Sequence, residues 1–235
     1  MIASIRHEAT RRGITRLCHF TPSRNLVHIA SGTEGILATK RLRESERRVF
    51  TPTDLARLDG HGGHISCSIE YPNAWYFDKA RSKDILFKDW VVLFINPRYL
   101  WLPGARFCPR NAAANCGGSV LEGEKGFLAL FANSVTGAGS RTFNRLTTHL
   151  PCCPTDDQAE VLIPDQIAKS DILAIAVKTE TQAKNEASRF RLIGLPIGSF
   201  RLIIAPELFE KRSLSQLIRS GNRPQETPWT PRGKT

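Results

Sequence analysis

An α+β fold is what this sequence predicts, and three observations predict it. Six short runs are rich in branched and aromatic residues, only three stretches carry helix signals, and the two types do not alternate regularly. A regular strand–helix alternation would instead imply a parallel α/β sheet.

In chain order, residues 1–13 are basic, lack a sustained apolar face and read as a loose arm. CHFT, residues 18–21, is a short strand with His19 and Thr21 on one face. Ser23 can cap a helix through Leu26, Ile29 and Ala30 that stops at Gly32. ISCSIEY (65–71), WVVLFIN (90–96), FLALFAN (127–133), AEVLIPD (159–165), ILAIAVK (172–178) and FRLIIAP (200–206) are the six strands. Thr179 can cap a helix through Ala183 and Ala187. Pro206 opens another, PELFEKRSLSQLIRSG, which ends at Gly221. Residues 222–235 contain three prolines with almost no apolar periodicity and read as a flexible tail. One domain, residues 14–221, lies between arm and tail.

Several classes are excluded. The 235 residues suffice for one substantial core. No charge-free stretch of about 18 residues or more could cross a membrane, and the N-terminus lacks a signal-peptide core, so the chain reads as cytoplasmic. There is no GxGxxG after a strand and no GxxxxGK[ST], which disfavours a dinucleotide-binding dehydrogenase or a P-loop enzyme. None of the six cysteines forms a CxxC pair, and several sit in apolar runs, so they read as reduced core thiols and no metal is expected. His61 and His64 in HGGH are two ligands at most, on a glycine-rich loop.

Charge is more informative. Lysine and arginine total 33 against 22 acidic residues, a net +11, and arginine supplies 23 of the 33. Planar guanidinium groups suit bidentate phosphate contacts, so a polyanionic partner is indicated. Two long connections, residues 103–126 and 134–157, are of the length that usually carries function. The second, SVTGAGSRTFNRLTTHLPCCPTDD, leads directly into a carboxylate.

Three groups of residues could do chemistry. Gln158 and Glu160 share one face at a strand start, where a partly buried carboxylate can become a useful base; an ordinary solvated strand end fits the same residues. His19, Thr21 and Asn25 in CHFTPSRN could hold an amide or a ribose, although a lone histidine is more often structural. Arg57 in TDLARLDGHGGHISCSIEYPNAWYF (53–77) reads alone as a surface arginine paired with a neighbouring carboxylate.

In combination these segments say more. CHFTPSRN, LARLDGHGGHISCSIEYPNAWYF, DWVVLFINPRYLW, FCPRNAA and PTDDQAEVLIPDQI, in this order over residues 14–178, resemble the DarT-type DNA ADP-ribosyltransferase toxins. SIEYPNAWYF and NAA are more similar to the guanine-modifying branch than to the thymine-modifying one. The resemblance implies an ADP-ribosyltransferase-like fold, two facing β-sheets with flanking helices and an NAD cleft between them. It implies Glu160 as the catalytic glutamate, with Gln158 as its accessory residue. It implies His19, Thr21 and Asn25 near the nicotinamide and its ribose, and Arg57 at the cofactor's phosphates or the acceptor. The loop 134–157 becomes the substrate-recognition loop, in which Arg141, Phe143 and Arg145 are candidates for DNA contact. Phe143 reads equally as a ring tucked into the core.

The implied activity is NAD-dependent modification of bases, guanine by preference, in single-stranded DNA, within a toxin–antitoxin or phage-defence system. NAD acts as substrate, and an antitoxin would reverse the mark. The alternatives are ADP-ribosylation of RNA or protein, and a nucleic-acid-binding module without catalysis.

Overall fold

The computed structural model describes residues 2–42, 60–84, 86–137, 141–196 and 198–231. Its centre is Trp90–Ile95 (β4), buried at every position as a continuous WVVLFI run must be when both faces are covered. Leu17–Pro22 (β1) pairs antiparallel with β4 from Leu17↔Ile95 to Pro22↔Trp90. Ile172–Val177 (β11) pairs antiparallel on the other side of β4, with a register shift between Ile172 and Ala174. Beyond it Leu202–Ile204 (β12) runs parallel to β11, and Thr227–Trp229 (β13) closes that edge.

On the other flank the sheet divides. His64–Ile69 (β3) meets β1 only at Leu17↔Ile69 and Cys18↔Ser68. Its first half pairs instead with Glu160–Pro164 (β9), from His64↔Pro164 to Cys67↔Val161. Arg106–Cys108 (β5) and Leu121–Glu122 (β6) complete that half. The expected two sheets are thus two halves of one nine-stranded sheet that part along β3. Past Cys18, β1 keeps β4 but loses β3, and this separation opens the cleft. Two small ribbons flank the sheet: Ile36–Leu37 (β2) with Gln166–Ile167 (β10), and Ser134–Thr136 (β7) with Thr142–Asn144 (β8).

Six helices are described. Ile2–Arg11 (α1) replaces the expected loose arm. Ile5 and Ala9, four apart on one face, are buried in the core. Gly13 ends the helix at φ 71°, with the Ile14 N–H on the Ala9 carbonyl at 3.0 Å. So short an apolar face is easily overlooked among arginines. Ser23–Asn25 forms a 3-10 turn rather than a side-chain cap, and Leu26–Ser31 (α2) follows. Ala74–Lys83 (α3), missed in the sequence, is capped by the Asn73 Oδ1, which accepts the Tyr76 N–H at 3.0 Å.

Gly123–Ala129 (α4) overturns the strand expected at 127–133. Phe127, Leu130 and Phe131 are buried whereas Leu128 is exposed, a three-and-four spacing that belongs to a helix and its final turn. Glu180–Leu192 (α5) is capped by Thr179 as expected, its Oγ1 accepting the Gln182 N–H at 3.1 Å. Pro206 opens a 3-10 turn, and Lys211–Arg219 (α6) completes that helical stretch.

Of the expected tail, residues 222–235, residues 222–231 pack against the domain and 232–235 lie outside the described residues. Pro228 sits opposite Ile203 on an edge strand, where a missing N–H costs no ladder bond. Arg16 is ion-paired with Glu226, and Arg223 reaches Glu70 at 3.1 Å. One large apolar cluster runs beneath both halves of the sheet and includes Ile5 and Ile218. Five of the six cysteines are buried, and all are free thiols. Among the described residues no helix is long and apolar enough to cross a membrane.

Candidate active site

The gap between β1 and β3 is a cleft of about 740 Å³, which suits a dinucleotide-sized ligand. Five residues expected at the site line it: His19, Thr21, Asn25, Gln158 and Glu160. They come from β1, the turn before α2, and the start of β9, so the divided sheet brings them together.

On the β1 wall, the His19 Nδ1 lies 2.9 Å from the Ser66 carbonyl of β3. The imidazole reaches the strand that the β1 backbone no longer pairs with there, which fixes the ring across the mouth of the split. Thr21 and Asn25 are buried, and the Asn25 Nδ2 donates to the Thr21 Oγ1 at 2.8 Å. The 3-10 turn at Ser23 delivers Asn25 to that position. It is itself held from α5, where the Arg189 Nη1 donates to the Ser23 Oγ at 2.7 Å.

On the opposite wall, Glu160 opens β9 and is 9% exposed. Its Oε1 accepts from the Asn111 Nδ2 at 3.2 Å and, at the limit of hydrogen bonding, from the Asn73 Nδ2 at 3.5 Å. Both asparagines are held in turn. The Asn73 backbone N–H donates to the Ser68 Oγ at 2.9 Å, and the Asn111 Oδ1 accepts the Ala113 N–H at 3.0 Å. A carboxylate this buried needs donors, and these two amides supply them to its Oε1. Two thiols flank it. Burial first, and the Glu160 charge in addition, push Cys108 up to about 11 and raise Cys67 further, so both remain neutral.

Sequence reasoning did not single out Asn73 and Asn111, although both lie in segments it quoted, PNAWYF and RNAA. Their signal is only visible in three dimensions, where separate loops converge on one oxygen. Glu70 prepares the Asn73 loop. It adopts φ 64°, strained for a non-glycine residue, and its buried carboxylate accepts the Thr15 N–H at 2.8 Å and the Arg223 Nη1 at 3.1 Å. The chain thereby turns sharply off β3 toward α3.

The other expected residues are placed differently. Arg57 lies outside the described residues. Arg141 is exposed and Phe143 half-buried on the β7–β8 ribbon, and neither lines the cleft. Phe143 packs against Gly137, where an added Cβ would come within 2.5 Å of the ring. Arg145 is committed elsewhere: its guanidinium donates to the carbonyls of Leu150 at 2.9 Å and Cys153 at 2.8 Å, bracing the loop that leads to Glu160. The ribbon is linked to the site by Arg110, which donates to the carbonyls of Thr136 and Gly137 at 3.1 and 3.2 Å and precedes Asn111. His61, in HGGH, meets the Arg106 guanidinium at 3.0 Å through its Nδ1.

A buried carboxylate, an imidazole and a hydroxyl–amide pair around a cleft suit the cleavage of a glycosidic bond through a cationic sugar. Comparison with known proteins agrees. The family model described as DarT, ssDNA thymidine ADP-ribosyltransferase, matches residues 18–199. Among solved structures, the chain is similar to Thermus sp. 2.9 DarT in complex with NAD+, at TM-score 0.56 and 13% identity over 83% of this chain and 97% of that one. The same protein in complex with ADP-ribosylated ssDNA gives 0.53 and 12% over 84% and 97%. Thermosipho africanus DarTG in complex with ADP-ribose gives 0.53 and 13% over 83% of this chain, which spans about half, 51%, of that longer one. No curated protein matches the sequence. At such identities the structural likeness concerns the fold.

Proposed function

This chain belongs to the DarT family of ssDNA ADP-ribosyltransferases, and on that premise we propose that it transfers ADP-ribose from NAD to a base of single-stranded DNA, with Glu160 as its catalytic carboxylate. The observation that carries the reading is Glu160 itself, buried on the cleft wall with asparagine amides on its Oε1.

The chemistry follows from that placement. Cleavage of the nicotinamide–ribose bond sends the electron pair out with nicotinamide and leaves an oxocarbenium-like carbon, as in glycoside hydrolysis. A fixed, nearly buried carboxylate beside that carbon stabilises the positive charge. A base nitrogen then bonds to the anomeric carbon, and the same carboxylate accepts the proton the nitrogen loses. Asn73 and Asn111 hold the carboxylate in place, and Gln158 lies next to it on the same wall. His19, Thr21 and Asn25, on the facing wall, would hold the nicotinamide and its ribose. Arg57 has the resemblance as its support, at the cofactor's phosphates or the acceptor. NAD is consumed as substrate.

The net charge of +11 favours a nucleic-acid acceptor over a protein. The family's description names thymidine, whereas the segments carrying Asn73 and Asn111 resemble the guanine-modifying branch, and guanine is the acceptor we propose. An enzyme that marks DNA is hazardous to its own cell. It fits a cytoplasmic toxin or phage-defence enzyme paired with an antitoxin that removes the mark.

Labelled NAD offered with single-stranded DNA, duplex DNA, RNA and protein in parallel tests this reading. Label is expected on single strands, far less on duplex, because a paired base must leave its stack to reach a recessed ribose. Oligonucleotides lacking one base each identify the acceptor: label surviving the loss of guanine but not of thymine transfers the assignment to thymine. Label on RNA or protein alone contradicts the DNA reading.

A further inference from the structure

The helix α3 leaves the cleft wall beside Glu160 and carries two distinct faces. Ala74, Phe77 and Ala80 turn one face of this helix into the core. Trp75, Lys79 and Lys83, spaced four apart, form a second stripe that is exposed and lines the outer wall of the cleft. The stripe begins two residues after Asn73, whose amide meets Glu160, and extends ~12 Å outward at about 1.5 Å per residue.

Its charge is uncompensated among the described residues. The acidic residues of this region are engaged elsewhere: Asp78 pairs with Lys211 at 2.6 Å and Asp84 with Arg24 at 3.4 Å. Lys79 and Lys83 have no ion-pair partner among the described residues. Trp75 is 38% exposed, and the Lys211 Nζ lies 5.3 Å from its ring centroid. An exposed indole at the catalytic end of two unpaired cations is the combination that binds single strands without reading sequence.

We propose that the nucleotide next to the modified base stacks on Trp75, and that Lys79 and Lys83 take the phosphates that follow. The acceptor strand thus runs along α3. The track rests on the ADP-ribosyltransferase reading, and differs from the β7–β8 ribbon that the sequence suggested for DNA contact. Lys79 and Lys83 could instead face the diphosphate of NAD, and the test separates the two anions.

Single-stranded oligonucleotide binding over a salt series, and NAD binding by calorimetry, are measured for the wild type, Trp75→Ala, and Lys79→Ala/Lys83→Ala. The side chains are exposed, so the variants should melt as the wild type does. Trp75→Ala is expected to lose roughly tenfold in DNA affinity. The double lysine variant should flatten the log–log salt slope by about 1.4, at about 0.7 per phosphate lost from a single strand. NAD affinity should stay within about twofold in both. Unchanged DNA affinity and salt slope overturn the track, and NAD affinity lost in its place assigns the lysines to the cofactor. A wild type that binds NAD but neither binds nor labels single strands overturns the DNA reading beneath it as well.

Discussion

At the scale of single residues, the site depends on how a nearly buried carboxylate is held in place. The amides of Asn73 and Asn111 donate to the Glu160 Oε1 and offset part of the cost of burying it. Asn111→Asp would replace a donor 3.2 Å from Glu160 Oε1 with a second carboxylate. Like charges so close oppose each other's ionisation, so the acid limb of the rate profile should move to higher pH. Asn111→Ser, smaller but still a donor, should shift it less. A pH profile of transfer for the three proteins checks this, and identical acid limbs would show that Asn111 only supports the loop. Glu160 was singled out in the sequence through the family resemblance, since QAE at a strand start by itself fits a solvated end as well. The asparagines were not, because nothing local marks two side chains from different loops that meet on one oxygen.

At the scale of elements, the strands with continuous apolar runs were legible, and so was the Thr179-capped helix. Several elements were not, α3 among them. The first helix shows only Ile5 and Ala9 toward the core, the edge strand at 227–229 contains a proline, and the run at 127–133 is apolar enough to suit either period. In each case tertiary packing decides what local pattern leaves open.

The turn leading into β9 carries its own pH signature. Asp156 is 2% exposed, with Oδ1 accepting the Gln158 N–H and Oδ2 without a partner among the described residues. Burial pushes its carboxyl up to about 6 from 3.8. A raised carboxyl stabilises the fold when protonated, and that contribution is lost as pH rises from about 4 through about 6. Asp156→Asn keeps an oxygen for Gln158 and removes the buried charge. It should therefore be more favourable at pH 8 than at pH 4, by up to about 3 kcal/mol. Urea unfolding of both proteins at the two pH values measures the difference. A difference that does not change with pH would mean that this carboxyl is not shifted.

At the scale of the molecule, β3 leaves β1 after two residue pairs and joins β9, and the cleft forms between the halves. That parting sets the β1 histidine across from the β9 glutamate. The sequence supplied the residues of both walls through their resemblance to a family, but the parting itself is a long-range pairing outcome. It could not be read from any one strand.

The most direct measurement of the central claim is the mass of a single-stranded oligonucleotide after incubation with NAD and either the wild type or Glu160→Gln. The substitution preserves shape and leaves an amide oxygen to accept from Asn73 and Asn111 while removing the charge, so melting of the variant should stay close to that of the wild type. The wild type should add one ADP-ribose per modified base and release nicotinamide, while the variant loses transfer by several orders of magnitude. A folded Glu160→Gln protein that builds the same adduct at the wild-type rate would contradict the assignment.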